Sequence, residues 1–482
     1  MSRLQRQPPR STRQRVARKK RTHDCDVAVI GAGPAGLAAA RLAALAGKRV
    51  VLFESQRLGG TSLNSGSVPS KALIRSATLF AAVREASRLM GSEGASPVAD
   101  LGRLATRLQR IEQRIAGYNS LARLTRLGID TRFAGAEFAD RRTITAGGQH
   151  VRFGKAIVAS GAVSAPAQFP GLRRRYVTSE TIFGLTELPA RLAVVGGGPL
   201  GCELAQAFCR LGSRVTIIQD EAKFLPREER DAAQILAQAM GRDGVNILLN
   251  TRVIGARLDA SNVLLETRSY KTKSVVSADC VLMSVGRVPN IKSLQLEAAH
   301  IASDPVNGIR TDDFLRTSNP HVFAAGDVCM PHKYTHVAEC TARIAVHNAL
   351  AGATERHCDL TIPWCTFCAP EIAHVGLQAW EAREQSIPIK TYTVMMQDID
   401  RAITDRQDNG FVKLHVAEGK DRILGATIVA SRASEMINEV CVAMHSGIGL
   451  RRLATVIHTY PSQSAAIRSA ALSIDEPQSQ PA

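Results

Sequence analysis

Long hydrophobic runs are absent from this chain of 482 residues, and aromatic side chains make up only 4% of it. No stretch of 18 apolar residues occurs, so the sequence predicts no membrane span. The ten cysteines are scattered along the chain, which argues against a small disulfide-stapled secreted fold and favours the reducing cytoplasm. Apolar residues at 45% and charged residues at 22% are ordinary for a globular protein, and the length allows roughly two to four domains.

Acidic residues are missing from the first 23 positions, which carry nine of the lysines and arginines behind the formal net charge of +18. With two prolines and no apolar periodicity, residues 1–23 are expected to form a disordered basic arm. A solvated tail, a non-specific anchor to nucleic acid or anionic lipid, and an organelle transit peptide all remain open for it. The rest of the charge is spread over a large body and predicts no specific nucleic-acid partner.

The first motif that carries chemistry is a glycine-rich turn. An apolar run over 26–30 leads into Gly31, Gly33 and Gly36 in the spacing G-x-G-x-x-G, and the next apolar run ends at Glu54. In a strand–turn–helix–strand setting these glycines let the backbone approach a pyrophosphate, and the acid binds a ribose. The pattern predicts a dinucleotide site, with a purely structural turn as the alternative.

A second copy of the motif lies in the middle of the chain. Its three glycines and its ribose-binding candidate are Gly196, Gly198, Gly201 and Gln219. Two copies of one fingerprint predict two dinucleotides face to face, although duplication without a ligand is also possible. Asp220 and Glu221 follow Gln219 and would repel a 2′-phosphate, and no arginine pair stands there, so the sequence leans weakly to NADH over NADPH.

Residues 59–71 read GGTSLNSGSVPSK, and Pro69 is expected to open a helix over 72–90. The segment resembles the redox-active segment of the class I pyridine nucleotide–disulfide oxidoreductases, which include glutathione reductase, lipoamide dehydrogenase and mercuric reductase. That family carries two cysteines, separated by four residues, where this chain has Ser62 and Ser67. A thiol can ionise and form a disulfide near neutral pH, and a serine hydroxyl can do neither.

The resemblance covers roughly residues 24–475 and is nearest to the mercuric-reductase-like branch. It implies an α/β fold with two doubly wound, Rossmann-like nucleotide-binding domains and a C-terminal α+β dimerisation domain. The expected divisions are a basic arm at 1–23, an FAD-binding domain at 24–165 and 289–360, an NAD(P)-binding domain at 166–288, a dimerisation domain at 361–475 and a tail at 476–482.

The resemblance also implies FAD and NAD(P)H as cofactors and gives roles to individual residues. Lys71 matches the family's lysine near flavin N5, and Glu203 matches the glutamate that holds it. Asp327 matches the aspartate that binds the ribityl chain, and Thr335 stands where the backbone reaches the edge of the isoalloxazine. The remaining cofactor-binding candidates are Gly60, Thr61, Ala136, Gly161, Gly286, Arg287 and Gly326.

The family's acid–base pair near the C-terminus is altered in this chain. Tyr460 stands in place of the histidine, Ala465 stands in place of the glutamate, and His458 is two residues away. Tyr460 is therefore the third catalytic candidate, expected at the active site of the partner subunit, with a cis Tyr460–Pro461 peptide. A phenol with a pKa near 10 is a poor base at neutral pH.

Other cysteines could in principle supply a redox pair. Cys365 and Cys368 form a C-x-x-C motif, but they fall on a predicted strand, where residues three apart face opposite sides. Neither lies at a predicted helix N-terminus, where such thiols become reactive. We expect Cys202 and Cys209, seven apart on one helix, to be core residues, and we expect no metal site.

Together these features predict a homodimeric FAD-dependent NAD(P)H oxidoreductase. Electrons would pass from nicotinamide through the flavin directly to a small acceptor, which could be a quinone, a metal ion or dioxygen, without a dithiol step. Two alternatives remain open at this stage. One is a mercuric or disulfide reductase that uses other cysteines, and the other is a catalytically silent FAD-binding dimer that serves as a scaffold or sensor.

Overall fold

The structure is a computed structural model that describes residues 23–91, 99–167, 169–172, 176–259 and 262–475. The tail at 476–482, and all of the basic arm except its last residue, lie outside the described residues. Among the helices in the described part of the chain, none combines the length and the apolar character that a membrane span requires.

The first nucleotide-binding sheet is built from the N-terminal part of the chain. Its strands, with the short strand that follows them, are β1 (Cys25–Ile30), β2 (Val50–Glu54), β3 (Ile129–Phe133), β4 (Ala136–Asp140), β5 (Thr143–Ala146), β6 (Gln149–Val158) and β7 (Ala162–Ser164). The helices are α1 (Pro34–Leu45), α2 (Gly60–Asn64), α3 (Ser67–Leu89), α4 (Leu101–Ala116) and α5 (Leu121–Arg126). The sheet order is β3-β2-β1-β6-β5-β4, and β1 runs parallel to both β2 and β6. The central strands are apolar runs because helices and loops cover both of their faces.

The second fingerprint folds in the same way as the first. Its region contains β8 (Arg191–Val195), β9 (Arg214–Ile218), β10 (Asn246–Leu248), β11 (Thr251–Asp259), β12 (Asn262–Ser269), β13 (Thr272–Ala278), β14 (Cys280–Met283), α6 (Pro199–Leu211) and α7 (Arg230–Asp243). The strands β10-β9-β8-β14 form a parallel sheet, and β11-β12-β13 form an antiparallel one. The predicted strand–turn–helix–strand repeat is thereby confirmed.

The chain then returns to the first sheet. The elements here are β15 (Arg287–Pro289), β16 (Ser303–Asp304), β17 (Gly308–Ile309), β18 (Val322–Ala324) and α8 (Thr335–Ala351). Strand β15 pairs with β7, and β18 adds to the first sheet in parallel beside β6. Helices α1 and α8 share one apolar core, which includes Leu37 and Val337. The segment between β18 and α8 is thus brought against the first glycine turn.

The C-terminal part is an α+β unit, as the sequence predicts. Its elements are β19 (Pro363–Thr366), β20 (Glu371–Gly376), β21 (Ile389–Met395), β22 (Phe411–Ala417), β23 (Ile423–Ala430), α9 (Ala379–Glu384), α10 (Asp400–Thr404), α11 (Ala433–His445), α12 (Leu450–Ala454) and α13 (Ala465–Leu472). All neighbours in the sheet β19-β20-β23-β22-β21 are antiparallel. Helices α11 and α13 help to close its core, with Ile437 and Ile467 buried.

Candidate active site

The glycine turns are packed so tightly that larger residues would not fit. Gly31 has φ +97°, and a Cβ there would lie 2.4 Å from the carbonyl oxygen of Ala159. A Cβ on Gly36 would lie 1.7 Å from the carbonyl oxygen of Gly31. In the second copy, a Cβ on Gly201 would lie 2.2 Å from the corresponding oxygen of Gly196. Both turns therefore present bare backbone at the carboxyl ends of parallel strands, where a dinucleotide pyrophosphate binds.

Glu54, the last residue of β2, and Gln219, directly after β9, each accept a hydrogen bond from the glycine turn of their unit. Glu54 accepts hydrogen bonds from the backbone N–H of Ala32 and of Gln56, both at 2.8 Å. Gln219 Oε1 accepts one from the backbone N–H of Gly197 at 2.6 Å. Because its oxygen is used by the turn, the amide nitrogen of Gln219 is the part left to donate to a ligand. Both predicted ribose-binding residues are thus held at their turns.

The surroundings of Gln219 include one charged residue that the sequence did not indicate. The sequence shows no arginine pair after Gln219, but the structure brings a single arginine, Arg252 of β11, to 3.8 Å from the carboxylate of Asp220. Both side chains are exposed. An arginine beside the acid lowers the electrostatic cost of a 2′-phosphate there. Asp220 and Glu221 therefore favour NADH over NADPH less strongly than the sequence indicated.

A cleft of about 380 Å³ lies between the first glycine turn, helix α2 and the segment before α8. Most of the predicted cofactor-binding residues of the first unit line it. They are Gly31, Gly33, Glu54, Gly60, Thr61, Ala136, Gly161, Arg287, Asp327 and Thr335. Gly36 and Gly326 do not line the cleft themselves, and Gly326 packs between Ala35 and Ala338. A Cβ on Gly60 would lie only 2.6 Å from the Cα of Gly33, so two stretches of bare backbone meet at the floor of the cleft.

The polar groups of the cleft fit a ligand that is rich in hydroxyls and phosphates. Burial raises the pKa of the Asp327 carboxyl. Arg287 Nη2 lies 3.8 Å from that carboxylate, and it donates to the hydroxyl of Thr61 at 3.2 Å and to the carbonyl of Ala162. Arg287 Nε is buried and has no partner among the described residues. Buried polar groups left in this state fit the ribityl and phosphate groups of FAD, since they gain partners when it binds.

Asp327→Ala is expected to lower FAD affinity by roughly ten- to a hundredfold, because a charge-assisted hydrogen bond contributes about 1.5–3 kcal/mol. The flavin-to-protein absorbance ratio, measured after dialysis against a series of FAD concentrations, gives the affinity. Asp313→Ala is the matched control, because Asp313 is exposed and pairs with Arg356 outside the cleft. Equal FAD affinity in the two variants would remove Asp327 from the binding site.

Two serine hydroxyls stand at the positions where the resemblance places thiols, and both lie beside a third hydroxyl, that of Thr335. Ser62 Oγ lies 2.8 Å from Thr335 Oγ1, and Ser67 Oγ lies 3.5 Å from the same atom. Helix α3 begins at Ser67, two residues before Pro69, so Ser67 sits in its first turn and not in a loop. All ten cysteines belong to the described residues, and none of them lines the cleft. The cleft therefore contains no thiol that could exchange electrons with a ligand.

Lys71 and Glu203 form the ion pair that the sequence predicts. Lys71 lies one helical turn beyond Ser67, and its Nζ donates to Glu203 Oε2 at 2.8 Å. The side chain of Glu203 is only 4% exposed, and that of Lys71 is 35% exposed. Glu203 Oε1 accepts the backbone N–H of Phe367 at 2.9 Å, and the Phe367 ring lies 4.2 Å from Lys71 Nζ. Both carboxylate oxygens are thus occupied, and the ammonium is held in one place.

The C-x-x-C cysteines face opposite sides, as the sequence predicts, although Cys368 lies beyond the end of β19. Cys365 packs against the core of the C-terminal unit, whereas Cys368 belongs to the core around α3 and α6. Burial raises the pKa of both thiols well above the usual range. Cys202 is a buried core residue, as expected, and Cys209 is half-buried with its thiol donating to the carbonyl of Asp243. No cluster of metal-ligating side chains occurs among the residues that the structure describes.

Tyr460 does not reach the cleft within a single chain. It is 76% exposed, and its hydroxyl donates to Asp400 at 2.7 Å, which raises the pKa of the phenol. The predicted cis Tyr460–Pro461 peptide is present. His458 Nε2 lies 2.6 Å from Glu439, a contact that the sequence did not predict. A catalytic role for Tyr460 stays a prediction that requires a second copy of the chain.

Two residues that touch the site were missed from the sequence. Phe367 lies between the two cysteines of the C-x-x-C motif, and its contacts with Lys71 and Glu203 have no local sequence signal. Lys333 lines the cleft, two residues before Thr335. Lys333 and Thr335 both line the cleft, while the rings of His332 and His336 stack with that of Tyr334. Helix α8 begins at Thr335, so no regular period runs through this segment from which Lys333 could have been found.

Comparison with known families and relatives agrees with this geometry. The family model described as pyridine nucleotide-disulphide oxidoreductase matches residues 25–349, and the model of that family's dimerisation domain matches residues 362–471. A mercuric reductase of Staphylococcus aureus is 29% identical over 458 residues, which cover 95% of this chain and 83% of the relative. A dihydrolipoyl dehydrogenase of Chlamydia muridarum is 31% identical over 464 residues, covering 94% and 97%.

Solved structures show the same likeness over the full fold. The HOCl-induced flavoprotein disulfide reductase RclA from Escherichia coli superimposes with a TM-score of 0.83 at 29% identity, covering 93% of this chain and 99% of that one. LpdA from Mycobacterium tuberculosis gives a TM-score of 0.85 at 28% identity, covering 94% and 100%.

Proposed function

Because this chain belongs to the pyridine nucleotide-disulphide oxidoreductases, and is thus an FAD- and NAD(P)H-dependent oxidoreductase, we propose that it passes electrons from NADH to a small acceptor without a dithiol step. The observation that carries the proposal is the combination found beside the cleft. The Lys71–Glu203 pair is complete, whereas Ser62 and Ser67 stand where the family has its thiols, and both lie within hydrogen-bond distance of Thr335.

FAD supplies the chemistry of hydride acceptance and onward electron transfer when it is bound. The glycine turn at 31–36, Glu54 and Asp327 would hold its pyrophosphate, adenosine and ribityl parts. Glu203 holds the ammonium of Lys71 in place, and its own burial excludes water from that side of the pair. A fixed ammonium stabilises negative charge that develops beside it during hydride transfer.

The lack of a thiol relay points to an acceptor that meets the flavin directly. Quinones, metal ions and dioxygen can each take electrons without forming a covalent bond to sulfur. A mercuric or disulfide reductase using other cysteines is disfavoured, since Cys365 and Cys368 pack into separate cores and lie outside the cleft. A silent FAD-binding scaffold is disfavoured by the intact Lys71–Glu203 pair, because binding FAD does not by itself require an ammonium held in place beside Ser67.

Anaerobic mixing with NADH tests the proposal. Bleaching of the bound flavin, followed by its return on addition of a quinone, ferric chelate or dioxygen, supports direct transfer, and the fastest acceptor defines the class. NADPH in the same experiment tests the nucleotide preference. A flavin that binds but stays yellow under both nucleotides would support the scaffold instead.

We further propose that two copies associate through the C-terminal unit, and Ile457→Glu is expected to weaken the dimer at least tenfold. Ile457 is 94% exposed and lies three residues before Tyr460. A charge buried in an apolar interface opposes association. Light scattering over a concentration series measures the effect. Tyr270→Glu is the control, because Tyr270 is 82% exposed in the turn between β12 and β13, outside the C-terminal unit. A monomeric parent protein at micromolar concentration would contradict the dimer.

A further inference from the structure

Lys333 is a charged residue of the cleft that the proposed reaction has not used. It lies between Asp327, expected at the ribityl chain, and Thr335, expected at the edge of the isoalloxazine, and its side chain lines the cleft with both. Its Nζ donates to the carbonyl oxygens of Met330 at 3.1 Å and Asp327 at 3.4 Å. These bonds use two of its three N–H donors, and no partner for the third is found among the described residues.

The ionisable groups around Lys333 come from three parts of the chain. The Asp327 carboxyl and the Cys329 thiol lie on its own segment, Arg287 reaches it from β15, and Arg227 reaches it from the loop before α7. Burial lowers the pKa of the Lys333 ammonium, and the two arginines lower it further, while Asp327 raises it. A half-buried cation with incomplete compensation gains from a new negative charge in the cleft.

The proposed reaction creates such a charge. A hydride carries two electrons and one proton, so NADH leaves as NAD⁺ and the flavin gains one negative charge unless a second proton follows. The Lys71 ammonium can stabilise charge close to it during the transfer, but the Lys71–Glu203 pair as a whole is neutral and does not offset the charge that remains on the reduced flavin.

We propose that the ammonium of Lys333 stabilises the anionic form of the reduced flavin. This inference rests on the proposed function and identifies a residue that raises the reduction potential of the bound flavin. The competing role is structural, in which Lys333 only closes the turn of residues 327–330 through its two carbonyl contacts.

Lys333→Gln separates the two roles, because a glutamine amide can still donate to a carbonyl but carries no charge. The two-electron midpoint potential of the bound flavin is measured by spectroelectrochemistry, and the pKa of the reduced flavin is read from a pH series of its spectrum. We expect the reduced flavin to be destabilised about tenfold relative to the oxidised form, which lowers the potential by about 30 mV. Its pKa is expected to rise by about one unit, as for other groups that lose a nearby opposite charge.

Two variants complete the experiment. Lys333→Arg keeps the charge and should leave both quantities near those of the parent protein. Lys155→Gln is the matched control, because Lys155 is also half-buried and donates to the carbonyl of Pro320, yet lies outside the cleft. If Lys333→Gln lowers only FAD affinity or thermal stability and changes neither potential nor pKa, Lys333 is structural and the proposal is wrong. A parent protein that binds no FAD would overturn the proposed function itself.

Discussion

Anaerobic reduction of the protein with dithionite is expected to consume two electrons per FAD, with no long-wavelength charge-transfer band. In members of this family that carry the disulfide, two further electrons reduce it, and a thiolate lies against the flavin. Here the residues at those positions are Ser62 and Ser67, which share hydrogen bonds with Thr335. A hydroxyl neither accepts electrons nor ionises near neutral pH, so the spectrum should be that of plain reduced flavin.

The lack of thiols also bears on the turnover of disulfide substrates. Oxidised glutathione and lipoamide need a thiolate to attack them, and we expect no reduction of either at any pH. The double variant Ser62→Cys/Ser67→Cys is the matched control and should restore the charge-transfer band, if the local geometry is that of the family. It should restore little turnover, since efficient acid–base catalysis contributes about 10²–10⁴ in rate and Tyr460 and Ala465 do not provide it.

A titration endpoint of four electrons per flavin in the parent protein would contradict this account of the site. It would require a cysteine pair that reaches the flavin, with Cys365 and Cys368 the first to examine. Their separate cores and the raised pKa of both thiols argue against that outcome.

Lys71→Met is expected to slow flavin reduction by NADH about a hundredfold, because removing one preorganised electrostatic contact typically costs about 10²–10³ in rate. Methionine keeps most of the packing of the side chain, is one atom shorter, and removes both the charge and the N–H donors. It also leaves the buried Glu203 carboxylate without its cation. Rapid-mixing absorbance at the flavin band, without oxygen, measures the rate of the single step directly.

The double variant Lys71→Met/Glu203→Gln separates lost stabilisation from a stranded charge. If the rate depends on the ammonium, the double variant stays slow, and Lys48→Met, an exposed lysine after α1, behaves as the parent protein. Recovery of the parental rate in the double variant would show that Lys71 serves only to neutralise Glu203.

The sequence predicted the parts of the site that depend on local pattern. The two glycine fingerprints lie in short strand–turn–helix units, whose spacing follows from backbone geometry alone. The Lys71–Glu203 contact joins positions 132 residues apart, and only the resemblance to the family indicated it.

What the sequence did not predict depends on packing between distant segments. The contact of Phe367 with Glu203 spans 164 residues, and Arg252 reaches Asp220 from a different strand. Neither pair has a spacing that local periodicity can detect. The position of Tyr460 depends on a second copy of the chain, which no pattern within one chain describes.

The contacts of Glu203 also bear on how the protein matures. Lys71, Glu203 and Phe367 come from the early, middle and late parts of the chain, and contacts of such high sequence separation form late because loop closure opposes them. Domains generally fold as units from the N-terminus during synthesis. In a chain still emerging from the ribosome, Glu203 can pair with Lys71 before Phe367 is made, but its second oxygen lacks the Phe367 N–H and the ammonium lacks the aromatic ring beside it. The complete arrangement around Lys71 therefore requires the early, middle and late parts of the chain to have folded together.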